Sequence, residues 1–430
     1  MAGLPEATHF VGREADVDVL VERCAGLDVH RDTVVATVRV PATAKGRPRR
    51  EQFTPTFATT TAGITALGEW LGEHRITRVG MESTGVYWKP VYYLLEDQLE
   101  VWLINAEHLH NVPGRKTDVA DSAWIAQMVE HGLVRPSFVP PPPIRELRDL
   151  TRHRRTLVEE RTRVVQRLEK VLQDAGIKLT SVASALLTKS GRAILDALLA
   201  GESDPQVLAA LARGRLRSKI PALREGLAGR FRAGHHGLLV AQMLAHIDFL
   251  DAAITELDTE LAAAAEPFRP ILERLTTIPG VSERTAIMLL AECGADMRVF
   301  PTAAHLASWA GICPGNNTSG GRSRSGHTRH GSVALRTALT EAAHAAVRTK
   351  GTYLAAHHAH IRSRRGVAKA IGATRHDLLI AYWHVVHNGV DYTDLGPDWA
   401  QRRRSPEHRI RKLVHELENL GQTVTLGPAA

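Results

Sequence analysis

At 430 residues the chain is too long for one ordinary hydrophobic core, so two or three domains are the default. Hydrophobic residues make up 44% and charged residues 23%, as in ordinary globular proteins, and three scattered cysteines (Cys24, Cys293, Cys313) exclude a disulfide framework or a CxxC zinc site. A formal charge of +8 points to a polyanionic partner, without separating DNA from RNA or an acidic membrane.

Residues 1–24 read as a poorly patterned leader, in which Glu6, Glu14, Asp16 and Asp18 argue against a signal peptide. From residue 25 to 139 the pattern predicts a ribonuclease-H-like α/β domain. A short apolar strand at Ala25–Val29 pairs with Thr33–Val40, and Glu51–Thr59 forms a third strand. A helix over Ala62–His74, spaced by Ile64, Leu67, Trp70 and Leu71, leads to a strand ending at Glu82. A helix from about Val86, a strand at Val101–Asn105 and a helix from about Thr117 complete the order.

Prolines at 140–143, with Pro136 before them, predict a stiff extended linker. Beyond it the chain is helical. Over 144–270, Leu147, Leu150, Leu157, Val164, Leu168 and Val171 form one apolar stripe, interrupted by Arg154 and Arg161. Met243, Ile247, Leu250, Ile254, Leu257 and Leu261 form a second, uninterrupted one. An antiparallel coiled-coil arm and two helices of one bundle both fit this spacing. Region 271–390 is mostly helical but broken by a Gly- and Arg-rich loop at Gly311–Gly331. The basic tail, 391–430, carries Arg402–Arg404 and an amphipathic stretch through Ile410, Leu413, Val414, Leu417 and Leu420. No stretch reads as the ~18–20 apolar residues of a membrane span, so a reducing cytoplasm without a membrane partner is expected.

Four carboxylates stand where such a sheet would place metal ligands: Asp28 in the first strand, Glu82 at a strand end, and Asp118 and Asp121 at a helix start. Their oxygens suit a hard cation such as Mg²⁺, one ion or two, and carboxylates packed together need a cation to neutralise them. Taken singly, each has an ordinary explanation; Asp118 reads equally as a helix N-cap, with Asp121 favoured by the helix dipole. Leu275–Leu290, with Pro279-Gly280 at its turn, resembles a helix-hairpin-helix, in which backbone N–H groups near Gly280 and the next helix N-terminus would meet phosphate. A simple packing corner is the alternative, and Ser282 replaces the usual second glycine. Around Ser319, the residues Gly320, Gly321, Arg322, Arg324 and Arg329 combine close backbone approach with bidentate cations. Ser319 is then either an attacking hydroxyl or only a phosphate donor in a flexible basic loop.

Together these segments resemble the transposases of the insertion-sequence-110 family. The resemblance is carried by Gly26-Leu-Asp28, Met81 through Trp88, Asn105 through His110, Lys116 through Asp121, Ile278 through Val281, Trp309-Ala-Gly311, Ser319-Gly-Gly321 and Leu335-Arg336. It implies a RuvC-like domain whose metal ligands are Asp28, Glu82, Asp118 and Asp121, a coiled-coil insertion, and a transposase domain with Ser319 as nucleophile. It also implies a homo-oligomer, dimer or tetramer, in a prokaryotic cytoplasm near the nucleoid. The acidic and serine domains of different subunits would meet, with donor and target DNA paired to an element-encoded structured guide RNA. Arg336 joins the nucleic-acid contacts by the same match. The leader before Asp28 is longer than the family usually shows, and the tail beyond Gly389 lies outside the match. The expected activity is Mg²⁺-assisted strand transfer through a covalent serine–DNA link. A hydrolytic RuvC-like nuclease or junction resolvase, and a non-catalytic nucleic-acid-binding scaffold, are the rival readings.

Overall fold

The computed structural model describes residues 18–42, 50–82, 85–105, 121–313, 317–320, 322–325, 328, 330–402 and 406–427. The chain divides into two compact units, Met1–Val139 and Pro140–Ala430. Asp118, Gly321 and Arg329 lie outside the described residues, as do most of the leader and residues 106–110.

The first unit is a mixed α/β domain. Strands β1 (Cys24–Val29) and β2 (Thr33–Pro41) form an antiparallel hairpin closed by His30 N–H donating to Thr33 O at 2.9 Å. The expected third strand is split in two, β3 (Arg50–Phe53) and β4 (Thr56–Ala58), both antiparallel to β2. Pro55 separates them. It has no N–H for a ladder, but its carbonyl still accepts from Ala36 N at 3.0 Å. Helix α1 (Thr61–Glu73), capped by Thr60, leads to β5 (Arg78–Glu82), and α2 (Trp88–Leu95) leads to β6 (Glu100–Ile104). β5 lies parallel to β1, and β6 parallel to β5, giving the order β3-β2-β1-β5-β6.

Side-chain alternation along the strands sorts the sheet into two faces. Ala25, Leu27, Val79, Met81, Val101 and Leu103 face a core shared with Ile64, Leu67 and Leu71 of α1 and Val91 and Leu95 of α2. The opposite face, with Cys24 and Ile104, packs against Trp124, Ile125, Met128 and Val129 of α3 (Asp121–Glu130). Every residue of α3 from Ser122 to Glu130 is buried except the half-buried Gln127. A helix enclosed this completely is fixed in position by the sheet beneath it.

The second unit is mostly helical. The linker expected at 140–143 is shorter than the proline run: Pro142 and Pro143 open α4 (Pro142–Asp174), with Pro141 at its N-cap. A proline at the first helical positions loses no helix hydrogen bond, and its fixed φ suits the turn. Short helices α5 (Leu179–Val182), α6 (Lys189–Leu199), α7 (Pro205–Ala210) and α8 (Ile220–Leu227) follow, then the long α9 (Leu238–Ala265). α4 and α9 pack antiparallel. Arg154 pairs with Asp258, and seven residues along α4 Arg161 pairs with Asp251, seven residues back along α9. The two arginines that interrupt the first apolar stripe are therefore its cross-links. Leu147, Val164 and Leu168 are buried along α4, and Leu244, Ile247 and Leu250 along α9.

One expectation is corrected by α9. The helical stretch Ala233–Thr276 is long enough, and within one 18-residue window apolar enough (mean hydropathy 1.5), to cross a membrane by length and composition. Alanines and leucines lift that average, while the buried part of the stripe is spent on packing against α4.

The remainder comprises α10 (Arg269–Thr276), α11 (Glu283–Cys293), α12 (Ala303–Trp309), a hairpin of β7 (Asn317–Ser319) and β8 (Arg322–Ser325), then α13 (Val333–Ala346), α14 (Tyr353–Arg365) and α15 (Val367–Asn388). Two tail helices, α16 (Trp399–Arg402) and α17 (Pro406–Asn419), end the chain.

Helices α14 and α15 are joined by His357 Nδ1 and Asp377 Oδ2, 2.6 Å apart. The hydrogen bond to Asp377 raises the imidazole above the usual histidine range, against the opposing effect of burial. A histidine raised on folding stabilises fully below its unfolded pKa and loses that contribution as pH climbs through the folded value. His357→Gln is therefore expected to lower the thermal midpoint by about 2 °C at mildly acidic pH. The difference from the parent should shrink in alkaline buffer to what the stacking of His357 on Tyr353 contributes, as scanning calorimetry across pH would show.

Candidate active site

The parallel register of β1 and β5 pairs Leu27 with Met81, so the next residues along, Asp28 and Glu82, stand level at adjacent strand ends. Both share a face with Gly26 and Gly80, the face that α3 covers. The closeness of α3 follows from those two glycines. A Cβ on Gly26 would sit 2.1 Å from Ser122 O and 2.3 Å from Ala126 N, inside the helix backbone. A Cβ on Gly80 would lie 2.5 Å from Val129 Cγ2 and 2.9 Å from Ile104 Cδ1. Asp121, the first residue of α3, is thereby brought to the end of the sheet where Asp28 and Glu82 stand.

Electrostatics record the gathering. Burial raises the Asp28 carboxyl, His30 pulls it back down, and the charges of Asp121 and Glu82 raise it further. His30 Nε2 lies 3.1 Å from Asp28 Oδ2, a pairing the sequence reading missed although a spacing of two along an extended chain hints at it. Among the described residues no three His, Cys, Asp or Glu side chains are close enough to hold a metal ion. Asp118 is outside that set. The donor chemistry nevertheless fits a hard divalent cation: three carboxylates share one strand-end region, and one is raised by desolvation and like charge.

Buried polar contacts hold α3 at both ends. Near its start Ser122 Oγ lies 2.8 Å from Thr37 Oγ1, which also lies 3.0 Å from Thr54 Oγ1. At its end the fully buried Glu130 is ion-paired with Arg39 at 2.8 Å and Arg50 at 2.5 Å. No sequence signal marked Glu130, because its partners lie on strands about eighty to ninety residues earlier.

In the second unit, the loop expected around Ser319 contains an antiparallel β-hairpin. Ser319 pairs with Arg322 across a two-residue turn, and Gly320 has φ +58°. Positive φ at that position is what such tight turns require, and glycine supplies it without strain. The backbone places Ser319 directly before the turn and Arg322 directly after it, with Arg324 further along β8. Arg336 lies half-buried in the first turn of α13. Burial, with the charge of Arg336 added to it, lowers the Arg375 guanidinium below the usual arginine range.

Glu292, at the end of α11, is 3% exposed. It accepts from Arg152 Nε at 2.8 Å and Nη2 at 3.0 Å, and from Ser332 Oγ at 2.7 Å. Burial pushes its carboxyl up, but the Arg152 guanidinium, helped by Ser332 and Arg148, holds it below the usual range. Ser332 also caps α13 by accepting from Leu335 N at 3.2 Å. One buried carboxylate thus ties α4 and α11 to the helix that follows the hairpin.

The Pro279-Gly280 turn behaves as a packing corner. Gly280 has φ +85°, and a Cβ there would meet Ala342 O and Ala346 N of α13, each at 2.4 Å. Val281 N–H already donates to Ile278 O at 3.0 Å. Ser282 is the N-cap of α11, accepting from Thr285 N, and Glu283 adds negative charge to the first turn. Gly280 is thus required by the close approach of α13, and Ser282 is explained as a cap.

Comparisons with known proteins agree in kind over both units. A DEDD-type IS110 profile described as Transposase matches residues 25–177, and one described as Transposase IS116/IS110/IS902 family matches residues 272–359. Together the two profiles account for more than half of the chain. A "Probable family 20 transposase" of Pseudomonas aeruginosa is 25% identical over 242 residues, 55% of this chain and 61% of that protein. An "Insertion element IS110 uncharacterized 43.6 kDa protein" of Streptomyces coelicolor is 52% identical over 56 residues, 13% of each chain. The matched stretches thus span less than two thirds of either relative.

Gly26→Ala is expected to destabilise the first unit by about 1–3 kcal/mol, since backbone of α3 must move to admit the methyl group. Gly72→Ala, in α1 with nothing within 4 Å of the new Cβ, should be neutral or stabilising by up to about 1 kcal/mol. Paired urea unfolding curves would check both signs.

Proposed function

The chain belongs to the transposase family of the insertion elements IS110, IS116 and IS902, and from that premise we propose that it is a DNA transposase that cuts and rejoins strands at element ends through a serine–DNA link. The observation that carries the proposal is that Asp28 and Glu82 end adjacent parallel strands level with one another, beneath the helix that begins at Asp121. The strand order, three antiparallel strands followed by two parallel ones, supports reading the first unit as RuvC-like. Asp28, Glu82, Asp118 and Asp121 would hold Mg²⁺. Bound there, the ion supplies Lewis-acid stabilisation of charge on phosphate oxygens.

The remaining work falls to the protein's own groups. Ser319 Oγ forms a bond to phosphorus as the strand oxygen leaves with the electron pair and takes up a proton, while the serine proton passes to solvent. The phosphoserine ester keeps the energy of the broken phosphodiester, so a strand hydroxyl can later displace Ser319 and reseal the backbone without ATP. Arg322 and Arg324 offset negative charge on the five-coordinate phosphorus, with Arg329 and Arg336 holding flanking phosphates. Gly320 and Gly321 let the hairpin backbone approach the strand closely. In this reading the working form is a homo-oligomer carrying a structured guide RNA, whose pairing chooses the donor and target sequences.

A denaturing gel with labelled element-end DNA is expected to show a protein–DNA adduct that Ser319→Ala abolishes. Free cut ends without an adduct would instead establish hydrolysis, and binding without any cut would leave a scaffold. Independently of activity, millimolar Mg²⁺ should raise the thermal midpoint of the parent by about 2–4 °C. Asp28→Asn should lose that rise, and an equal rise in the variant would exclude Asp28 as a ligand.

A further inference from the structure

A second candidate site lies in the segment that neither family profile covers. Between the loop after α5, the start of α6 and the 3₁₀ turn Gly214–Lys219 is a cavity of about 380 Å³. Three cations, Arg213, Arg215 and Lys219, and three hydroxyls, Ser184, Thr188 and Ser190, line it, and no carboxylate does.

The lining is organised by the fold. Gly214, at φ +58°, turns the chain between Arg213 and Arg215. Ser190, 4% exposed, accepts from Arg213 N at 2.8 Å, and Thr188 caps α6 by accepting from Gly191 N at 3.1 Å. Ser190 and Thr188 each therefore accept from a backbone N–H and keep their own proton to donate. Lys219 Nζ is anchored to Val182 O at 3.0 Å.

Several arginines of the second unit are compensated, and among the described residues the cations of this cavity are not. Arg154, Arg161, Arg192, Arg269 and Arg298 each sit against a carboxylate. From Pro205 to Arg224 the sequence holds no Asp or Glu. Among the described residues no carboxylate pairs with Arg213, Arg215 or Lys219. Uncompensated cations converging on a hollow beside hydroxyl donors are arranged for an oxyanion, and the hollow has room for more than a single phosphate group.

We infer that this cavity is a phosphodiester-binding subsite, a grip on a nucleic-acid backbone separate from the Ser319 hairpin. The inference rests on the nucleic-acid reading above, but its test reads binding rather than strand cutting. The ligand chemistry is shared by DNA and RNA, and the experiment separates them. Affinity of the full chain for a 40-base-pair duplex DNA and for a structured RNA of similar length is measured from about 50 to 300 mM salt. Arg213→Ala/Arg215→Ala/Lys219→Ala is expected to weaken binding at least tenfold at low salt. It should also flatten the log-affinity against log-salt slope by about 2–3 for the polymer that uses the site. Arg215→Ala alone, a surface change that should leave folding intact, flattens it by about 1. Loss with one polymer only supports the subsite and names its occupant. Parent-like affinity and slope with both polymers, in either variant, overturn it. A parent chain that binds neither polymer would sink the nucleic-acid reading itself.

Discussion

A side chain on the α3-facing side of β1 or β5 would hold that helix away from the sheet by its own width. At Gly26 and Gly80 there is no side chain: helix backbone fills the space a methyl group would need at Gly26, and the side chains of Val129, Ile125 and Ile104 fill it at Gly80. The rest of the first unit's chemistry depends on this contact. It brings Asp121 to the end of the sheet where Asp28 and Glu82 already lie level, and the charges of both neighbours raise the Asp28 carboxyl. Thr37, Ser122, Glu130, Arg39 and Arg50 hold the same helix by polar contacts, so packing and hydrogen bonding specify a single position.

Buried charge does related work in the second unit. Removing one partner of a buried ion pair leaves the other desolvated and alone, which costs far more than the pair contributes. Glu292 is placed where that asymmetry enforces geometry. Arg152 and Arg148 of α4 and the cap Ser332 converge on it, fixing α13 immediately after the hairpin that carries Ser319. Arg154 and Arg161 play the same part more exposed, linking α4 to α9.

Much of this was legible in the residues. Alternation marked β1, β2, β5 and β6, and α1 was expected over Ala62–His74 and runs over Thr61–Glu73. What escaped depended on partners distant in sequence. Arg154 looked like a flaw in an apolar stripe because Asp258 is 104 residues away. Nothing local marks Glu130, whose partners Arg39 and Arg50 lie on distant strands. The hairpin at Ser319 was hidden for another reason: its strands are polar, so no alternation of apolar residues announces them. At Pro279-Gly280 the motif was visible but its use was not, since only the packing of α13 shows why the glycine is needed. Of the acidic cluster, residue types and strand ends were readable; the glycine seat that joins them was not, although a glycine within a strand is a standing hint of close backbone approach.

Mobile elements persist as many copies, some intact and others eroded. An eroded copy is usually recognised by a lost catalytic side chain or a truncated frame. The seat beneath α3 adds a quieter form of decay. A single base change turning Gly26 or Gly80 into alanine would leave Asp28, Glu82, Asp121 and Ser319 spelled correctly, yet crowd the seat of the helix that begins with Asp121. Inventories of intact copies would do well to check those two positions alongside the acidic residues.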